Sequence, residues 1–196
     1  PGAAEDASDV DFIRWKAIGI PNPGYWALDI TRRMHEVGTT EMHLAKVAVK
    51  AHKMGAENPV ARYRNVLTEQ DVLNSPLVSY PLRLFEICAV SDGAAAAIIC
   101  SKEKMRQLTR KPVWVASSTV ATMEFGDPLL RIPEVSTFPL DTAHTNSEVT
   151  IAVKKAFESA GIGPKDLDFV ELQDNTAGHE LILPELPAAR IVSKPE

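Results

Sequence analysis

The fold of this chain is decided by one stretch, DFVELQDNTAGHE, at residues 168–180. The apolar residues at 167–172 are typical of a short strand, and three polar residues, Gln173, Asp174 and Asn175, follow where that strand would end. A helix is predicted to begin at once, and its first N–H groups have no partner within the helix. Ligands of open α/β sheets bind at the carboxyl ends of strands, and helix N-termini attract anions. The stretch therefore predicts a ligand site.

The three polar side chains suit both catalysis and helix capping. A neutral amide at a strand end can hold a catalytic water or donate a hydrogen bond to an oxyanion. Asp174 or Asn175 can equally serve as the N-cap of the following helix. Both interpretations need the same residue types, so the sequence leaves them open.

The segments before this stretch indicate an α/β layer structure. Residues 113–121 are typical of a strand, and the helix predicted after them opens with a capping box of Thr145 and Glu148 and ends at Gly161. The order from residue 113 onward is strand, helix, strand, helix, which is typical of α/β folds. Residues 94–100 suit a strand buried on both faces, although their pattern does not separate such a strand from a buried helix.

The first part of the chain is predicted to be helical. Apolar residues recur at helical spacing over residues 25–37, with Gly38 as the C-cap, and over residues 41–54, with the helix ending at Gly55. A short polar helix is predicted at 102–110.

The composition argues against several classes of protein. A hydrophobic content of 45% over 196 residues supplies a sizeable core, and a net charge of -5 argues against general attraction to nucleic acid. The two cysteines, Cys88 and Cys100, are too few for a disulfide framework or a CxxC metal site, which fits a reducing cytoplasmic setting. The longest apolar run is too short to span a membrane. Because the chain opens on Pro1, we expect a processed or partial chain.

Two further features are candidates for ligand contacts. The charge nearest to Cys88 in sequence is Glu86, which disfavours a thiolate, so Cys88 is predicted to be a packed or ligand-lining thiol rather than a nucleophile. A basic stripe on the second helix, formed by His43, Lys46, Lys50 and Lys53, suits the phosphates of a nucleotide-bearing cofactor or is simply a solvated face. Motifs for a P-loop, a dinucleotide fingerprint, an esterase elbow or a zinc site do not occur in the sequence, and no metal is expected.

Several segments together resemble the thiolase superfamily, in particular its lipid-transfer or sterol-carrier type. Residues 91–99, SDGAAAAII, resemble the thiolase motif that leads into a core strand, and residues 170–177, VELQDNTA, occupy the place of a second thiolase motif. Residues 156–162 and 165–168 match the order of the helix end before that motif. Further upstream, MHE at 34–36 and VAVK at 47–50, followed by Asn58-Pro59, resemble the middle region of the lipid-transfer type.

This resemblance implies a layered αβαβα core of two similar halves with a mostly helical cap, coenzyme A thioester substrates and usually a homodimer. Residues 1–85 would form the helical cap and loop region, 86–111 the end of the first half, and 112–196 part of the second. The nucleophilic cysteine of a thiolase would lie before residue 1, and its Gly-His-Pro histidine after residue 196.

The resemblance also implies roles for particular residues. Gln173 replaces the Asn or His that holds the water of one oxyanion hole, Asp174 replaces its acidic neighbour, and Asn175 is the second expected donor. Cys88 falls where thiolases place a small residue against the pantetheine arm. Ser91 in the same motif, with Lys46 and Lys50 of the basic stripe, completes the expected coenzyme A contacts.

The Gln-Asp-Asn-Thr turn resembles a divergent lipid-transfer branch that includes retro-aldolases for steroid side-chain CoA esters, which work with a separate partner protein bearing an OB-fold and a zinc ribbon. Because Gln173 cannot carry a proton, histidine-type thiolysis is disfavoured. We therefore expect a cytoplasmic enzyme, peroxisomal in a eukaryote, that acts on a C–C bond of an acyl-CoA in lipid or sterol side-chain metabolism, as a thiolase-like acyltransferase or an aldolase. The alternative is a non-catalytic acyl-CoA-binding, lipid-binding or scaffolding subunit.

Overall fold

The computed structural model of the chain describes residues 13, 17, 19–108, 111–122 and 148–185. It combines helices with one small antiparallel sheet. The α-helices and strands are α1 (Asn22–Val37), α2 (Glu41–Glu57), α3 (Glu69–Leu73), β1 (Leu77–Ser79), β2 (Leu82–Arg83), α4 (Lys102–Leu108), α5 (Glu148–Ala160) and α6 (Ala177–Ile182). Single 3-10 turns occupy Leu84–Glu86, Pro164–Asp166 and Leu183–Glu185. Strands β1 and β2 pair with each other.

The two long helices confirm the helical prediction, with one correction. Helix α1 ends at Gly38, whose φ of 71° is left-handed and whose N–H bonds to the carbonyl of Met34. Helix α2 does not end at Gly55 but continues to Glu57. The reason is packing: a Cβ at Gly55 would lie 2.9 Å from the carbonyl oxygen of Tyr63, so the glycine permits a close backbone approach instead of a cap.

Helix α2 lies at the centre of the described core and buries residues on two sides. One cluster joins α1, α2, β2 and α6 through Ala27, Ile30, Leu44, Leu82 and Ala177. The other joins α2 to α3 through Ala45, Ala48 and Val72. Each cluster removes aliphatic surface from water, which is the dominant favourable term in folding.

Close contact between α1 and α6 depends on a second glycine. A Cβ at Gly178 would lie 2.3 Å from the Ile30 side chain, which is itself fully buried. The side chain of Arg33 on α1 also pairs with both carboxylate oxygens of Glu185, just beyond α6. These contacts fix the position of α6, and with it the turn that precedes the helix.

The predicted strands at 94–100, 113–121 and 167–172 are wrong for this structure, since none of these described residues lies in a strand. Most of their apolar side chains are exposed, with Ile98 93% and Val113 95% accessible, whereas Leu167 and Leu172 are half-buried. A strand needs a neighbour for its N–H and C=O groups, and no described segment pairs with these three.

The other predictions for the second half concern helices. Helix α5 is confirmed and is followed by Gly161 at a φ of 68°. Thr145, the predicted first residue of its capping box, lies outside the described residues. Helix α4 spans Lys102–Leu108, and the last two residues predicted for it also lie outside the described ranges. In the part of the chain that the structure describes, no helix is both long and apolar enough to cross a bilayer.

Candidate functional site

A cleft of about 250 Å³ lies between α2, the segment after β2 and the turn before α6. Its α2 wall is formed by Val47, Ala48, Ala51 and His52. The facing wall includes Phe85, Glu86, Ile87, Cys88, Asp174 and Thr176. Its lining is largely apolar with a few polar groups, which is typical of small-molecule sites.

The facing wall is built from two segments that are distant in sequence. Ile87 and Thr176 form an isolated antiparallel bridge, and the N–H of Cys88 donates to the carbonyl of Asn175 at 2.9 Å. This pairing places Cys88 and Asp174 on the same cleft.

The N-cap of α6 is Thr176, which is 2% exposed. Its hydroxyl accepts the backbone N–H of His179 at 3.3 Å and lies 3.0 Å from the Nδ1 atom of the same residue. The alternative in which Asp174 or Asn175 caps this helix is therefore wrong. Burial lowers the pKa of His179, and the nearby Asp174 carboxylate partly opposes that shift.

Glu86 is a buried carboxyl in the cleft wall that the sequence analysis did not single out. It is 3% exposed; its Oε2 accepts the N–H of Arg83 at 2.8 Å, and its Oε1 has no hydrogen-bond partner among the described residues. Burial raises the pKa of Glu86 to about 7, against the opposing effect of Arg83. Such an unpartnered buried atom typically costs about 1–3 kcal/mol. The available signal was a lone carboxyl within the apolar run LFEICAV at 84–90.

His52 is the second buried polar residue of the wall that was missed. It is 8% exposed, and its Nδ1 has no hydrogen-bond partner in the described part of the chain. Its ring stacks on Tyr63, with centroids 5.5 Å apart, and meets the Phe85 ring edge-on at 5.7 Å. The signal was its position four residues after Ala48, on the buried face of α2.

Comparison with known proteins identifies the family. The chain is 35% identical over 179 residues to the acetyl-CoA acetyltransferase of Methanothermobacter thermautotrophicus, covering 88% of this chain and 42% of that protein. It is 32% identical to the benzoylsuccinyl-CoA thiolase subunit BbsB of Thauera aromatica, and the match covers 89% of this chain and 42% of that protein. It is also 29% identical to the steroid side-chain-cleaving aldolase of Thermomonospora curvata, and that match covers 86% of this chain and 41% of the aldolase. The chain belongs to the thiolase superfamily.

The family predicted from residues 91–99 and 170–177 is thereby confirmed. The chain spans about two fifths of the length of these thiolase-superfamily relatives, at 42% of the first two. No protein-family model matches the sequence.

The structure divides the site residues expected from the thiolase resemblance into two groups. Cys88 and Asp174 line the cleft, and Lys50 pairs with Glu180, which also lines it. Asn175 is half-buried beside the cleft, and its carbonyl is engaged by Cys88.

The other expected residues lie outside the cleft wall and, like Cys88 and Asp174, are exposed. Gln173 precedes Asp174 in the turn, Ser91 lies in the segment without regular secondary structure after Cys88, and Lys46 occupies the solvent side of α2. Among the described residues, no cluster of three or more His, Cys, Asp or Glu side chains is arranged to hold a metal.

Proposed function

We propose that this chain forms part of the acyl-CoA site of a thiolase-superfamily enzyme that breaks or makes a C–C bond next to a thioester, in lipid or sterol side-chain metabolism. The observation that supports this most is the pairing of residues 87–88 with residues 175–176. It brings residues 86–89, just before the first thiolase-like motif, and part of the second motif to the edge of one cleft.

The lining of the cleft suits the acyl and pantetheine portions of such a substrate. Val47, Ala51 and Ile87 offer apolar surface, while Cys88 and Asp174 supply polar atoms. We assign Cys88 and Ser91 to the pantetheine arm, and Lys46 and Lys50 to the phosphates. In this assignment Lys50 leaves its exposed ion pair with Glu180, and exposed pairs of this kind contribute little to stability.

Both candidate reactions require the site to stabilise negative charge on the thioester oxygen. In thiolysis, the nucleophilic cysteine expected of a thiolase adds to the β-keto carbon, and CoA later takes the acyl group from it; in retro-aldol cleavage, a β-hydroxyl loses its proton. In each case the electrons of the broken C–C bond pass to the α-carbon and develop negative charge on the thioester oxygen. We propose that Gln173 and Asn175 donate hydrogen bonds to that oxygen and that Asp174 orients the turn.

The role of Gln173 is tested by replacing it with Ala. We expect turnover at saturating substrate to fall by about tenfold or more, the small end of the effect of losing one oxyanion donor. Unchanged turnover refutes the role. Measuring consumption of free CoA separates the two reactions, because thiolysis requires CoA and retro-aldol cleavage does not.

We also propose that the described part belongs to a larger layered αβαβα fold, with residues 1–85 as the cap, 86–111 ending the first half and 112–196 in the second. The accessible apolar side chains at Ile98, Val113 and Val120 support this, since a neighbouring layer would bury them. A homodimer and a partner protein with an OB-fold and zinc ribbon are proposed from the family resemblance alone. Light scattering of the chain, with and without such a partner, tests both.

The second candidate is a non-catalytic acyl-CoA-binding, lipid-binding or scaffolding subunit. It is favoured by the exposure of Gln173 outside the cleft wall. Tight binding of an acyl-CoA without turnover, under conditions in which a known thiolase is active, selects this function.

A further inference from the structure

The turn at residues 173–175 is held in place through the residue that follows it, Thr176. This threonine lines the cleft, is 2% exposed and forms the backbone bridge to Ile87. Its hydroxyl accepts the backbone N–H of His179 at 3.3 Å and lies 3.0 Å from Nδ1 of the same histidine. The end of the turn therefore depends on the hydrogens that this one hydroxyl accepts and donates.

The hydrogen bonds of the Thr176 hydroxyl favour one tautomer of the His179 ring. Among the described residues, Nδ1 of His179 is the one acceptor within reach of the hydroxyl hydrogen. A neutral imidazole accepts at Nδ1 only when its own proton is on Nε2. With the proton on Nδ1, the hydroxyl would receive two donors and its hydrogen would be left buried without an acceptor, which is rare in folded proteins.

A second contact restricts the orientation of the same ring. His179 is half-buried, and its ring meets Trp26 of α1 edge-on, with centroids 6.0 Å apart and planes at 85°. The imidazole thus contacts α1 and the hydroxyl that caps α6 at the same time. A change at Nδ1 therefore acts on the position of the turn as well as on the ring.

We infer that His179 is a positioning residue for the turn at 173–175: its neutral ring accepts the Thr176 hydroxyl at Nδ1, and this bond holds the turn against the cleft. This inference rests on the proposed acyl-CoA function, because the turn carries the donors assigned to the thioester oxygen. His179 acts through Thr176, since the described residues that line the cleft do not include this histidine.

The N-terminus of α2 offers a comparison within the same chain. There the Thr40 hydroxyl accepts the N–H of His43 at 3.3 Å, and Nδ1 of His43 accepts the backbone N–H of Thr40 at 3.1 Å. Both residues are exposed and lie outside the cleft wall. The same Thr-x-x-His spacing therefore occurs twice, but at α6 alone, of these two caps, does the ring accept from a buried hydroxyl of the cleft.

Protonation of His179 would end this arrangement, because Nδ1 would become a donor. Burial lowers the pKa of His179 from 6.5, and the carboxylate of Asp174 partly opposes that shift. The ring is therefore neutral at neutral pH and gains its proton only as the pH falls below 6.5. The turn should keep its position above that pH and lose it in acid.

The charges on the elements around α6 are mostly paired. Lys50 of α2 pairs with Glu180, and Arg33 of α1 pairs with Glu185. One helical turn after Trp26, the Asp29 carboxyl is under the influence of Arg32 on the same helix. On the segment bridged to Thr176, Glu86 has a pKa raised to about 7, so the binding test is carried out in an E86Q background.

The tautomer is tested directly by long-range proton–nitrogen NMR spectra of the 196-residue chain. Above pH 7 we expect the His179 ring to carry its proton on Nε2. As the pH falls below 6.5, the amide resonances of residues 174–176 should shift together with the ring, whereas titration of His43 should leave them unchanged. A neutral ring with its proton on Nδ1 overturns the inference.

Two variants separate the acceptor from the ring. H179N keeps an acceptor, because Oδ1 of Asn can replace Nδ1, and it does not titrate; H179F keeps an aromatic ring near Trp26 and has no acceptor. Calorimetry with butyryl-CoA should show H179F binding about fivefold more weakly than H179N from pH 5 to pH 8, as for one lost hydrogen bond. The chain with His179 should match H179N at pH 8 and approach H179F at pH 5. H35N, at an exposed histidine of α1, keeps the profile of the chain with His179.

Equal affinity of H179N and H179F, each shown by its melting transition to be folded, overturns the inference and leaves the proposed function standing. The same holds if the affinity of the chain with His179, relative to that of H179N, is constant from pH 8 to pH 5. If butyryl-CoA binds to none of these proteins, the proposed function is overturned and, with it, the role of His179.

Discussion

Replacing Glu86 with Gln tests the energetic consequence of the buried carboxyl. The folded chain raises the pKa of this group from 4.5 to about 7, so it binds the proton more tightly than the unfolded chain does. The resulting stabilisation is fully present below pH 4.5 and is lost as the pH rises through about 7. Over this window the carboxyl should remove about 3 kcal/mol from the free energy of unfolding.

Gln at position 86 is uncharged at every pH, so it removes the contribution of this residue to the pH dependence of the free energy of unfolding. We expect E86Q and the wild type to differ little at pH 5, and E86Q to be more stable by about 2–3 kcal/mol at pH 8. Urea denaturation followed by circular dichroism at pH 5, 6, 7 and 8 measures the difference, in which the contributions of all other titrating groups cancel. A difference between the two proteins that does not change with pH would show that the Glu86 pKa is not raised by folding. E57Q serves as the exposed-carboxyl control.

Two further predictions concern the placement of α6. Gly178→Ala introduces a Cβ 2.3 Å from Ile30, so we expect the free energy of unfolding, measured by urea titration, to fall by about 1–3 kcal/mol. Gly93→Ala is the matched control, because a Cβ at Gly93 would have no heavy atom within 4 Å, and it should change this free energy little. Thr176→Ala removes the N-cap of α6 and should lower the free energy of unfolding by about 1 kcal/mol. Thr176→Ser keeps the capping hydroxyl and should restore most of that loss. Equal stability of the Ala and Ser variants would contradict the capping role.

The parts of the fold that could be predicted from the sequence are those set by local interactions. Helix α1 and its left-handed Gly38 follow from apolar spacing and one glycine, and Gly161 ends α5 for the same reason. The strands expected at 94–100 and 113–121 depend on pairing with other segments, which local patterning does not specify.

In the candidate site, too, local features could be predicted from the sequence and features that depend on tertiary contacts could not. The turn at 173–175 was recognisable as polar residues before a helix, yet the cap proved to be Thr176, because three polar residues in a row leave the first helical residue ambiguous. The apolar run around Glu86 and the helical spacing of His52 from Ala48 favour burial, but these patterns do not specify which segments cover the two side chains. Their burial arises where α2 packs against the turn after β2, which is a tertiary contact.

The bridge between Ile87 and Thr176 closes most of the second half of the chain into a loop with a fixed base. The entropy of closing a flexible loop changes slowly with its length, by about 0.6 kcal/mol for each doubling. A change in chain length between residues 90 and 170 therefore alters the free energy of closing this bridge only slightly. The alignment of the two cleft edges thus depends on the contacts at the bridge itself more than on the length of the chain between them.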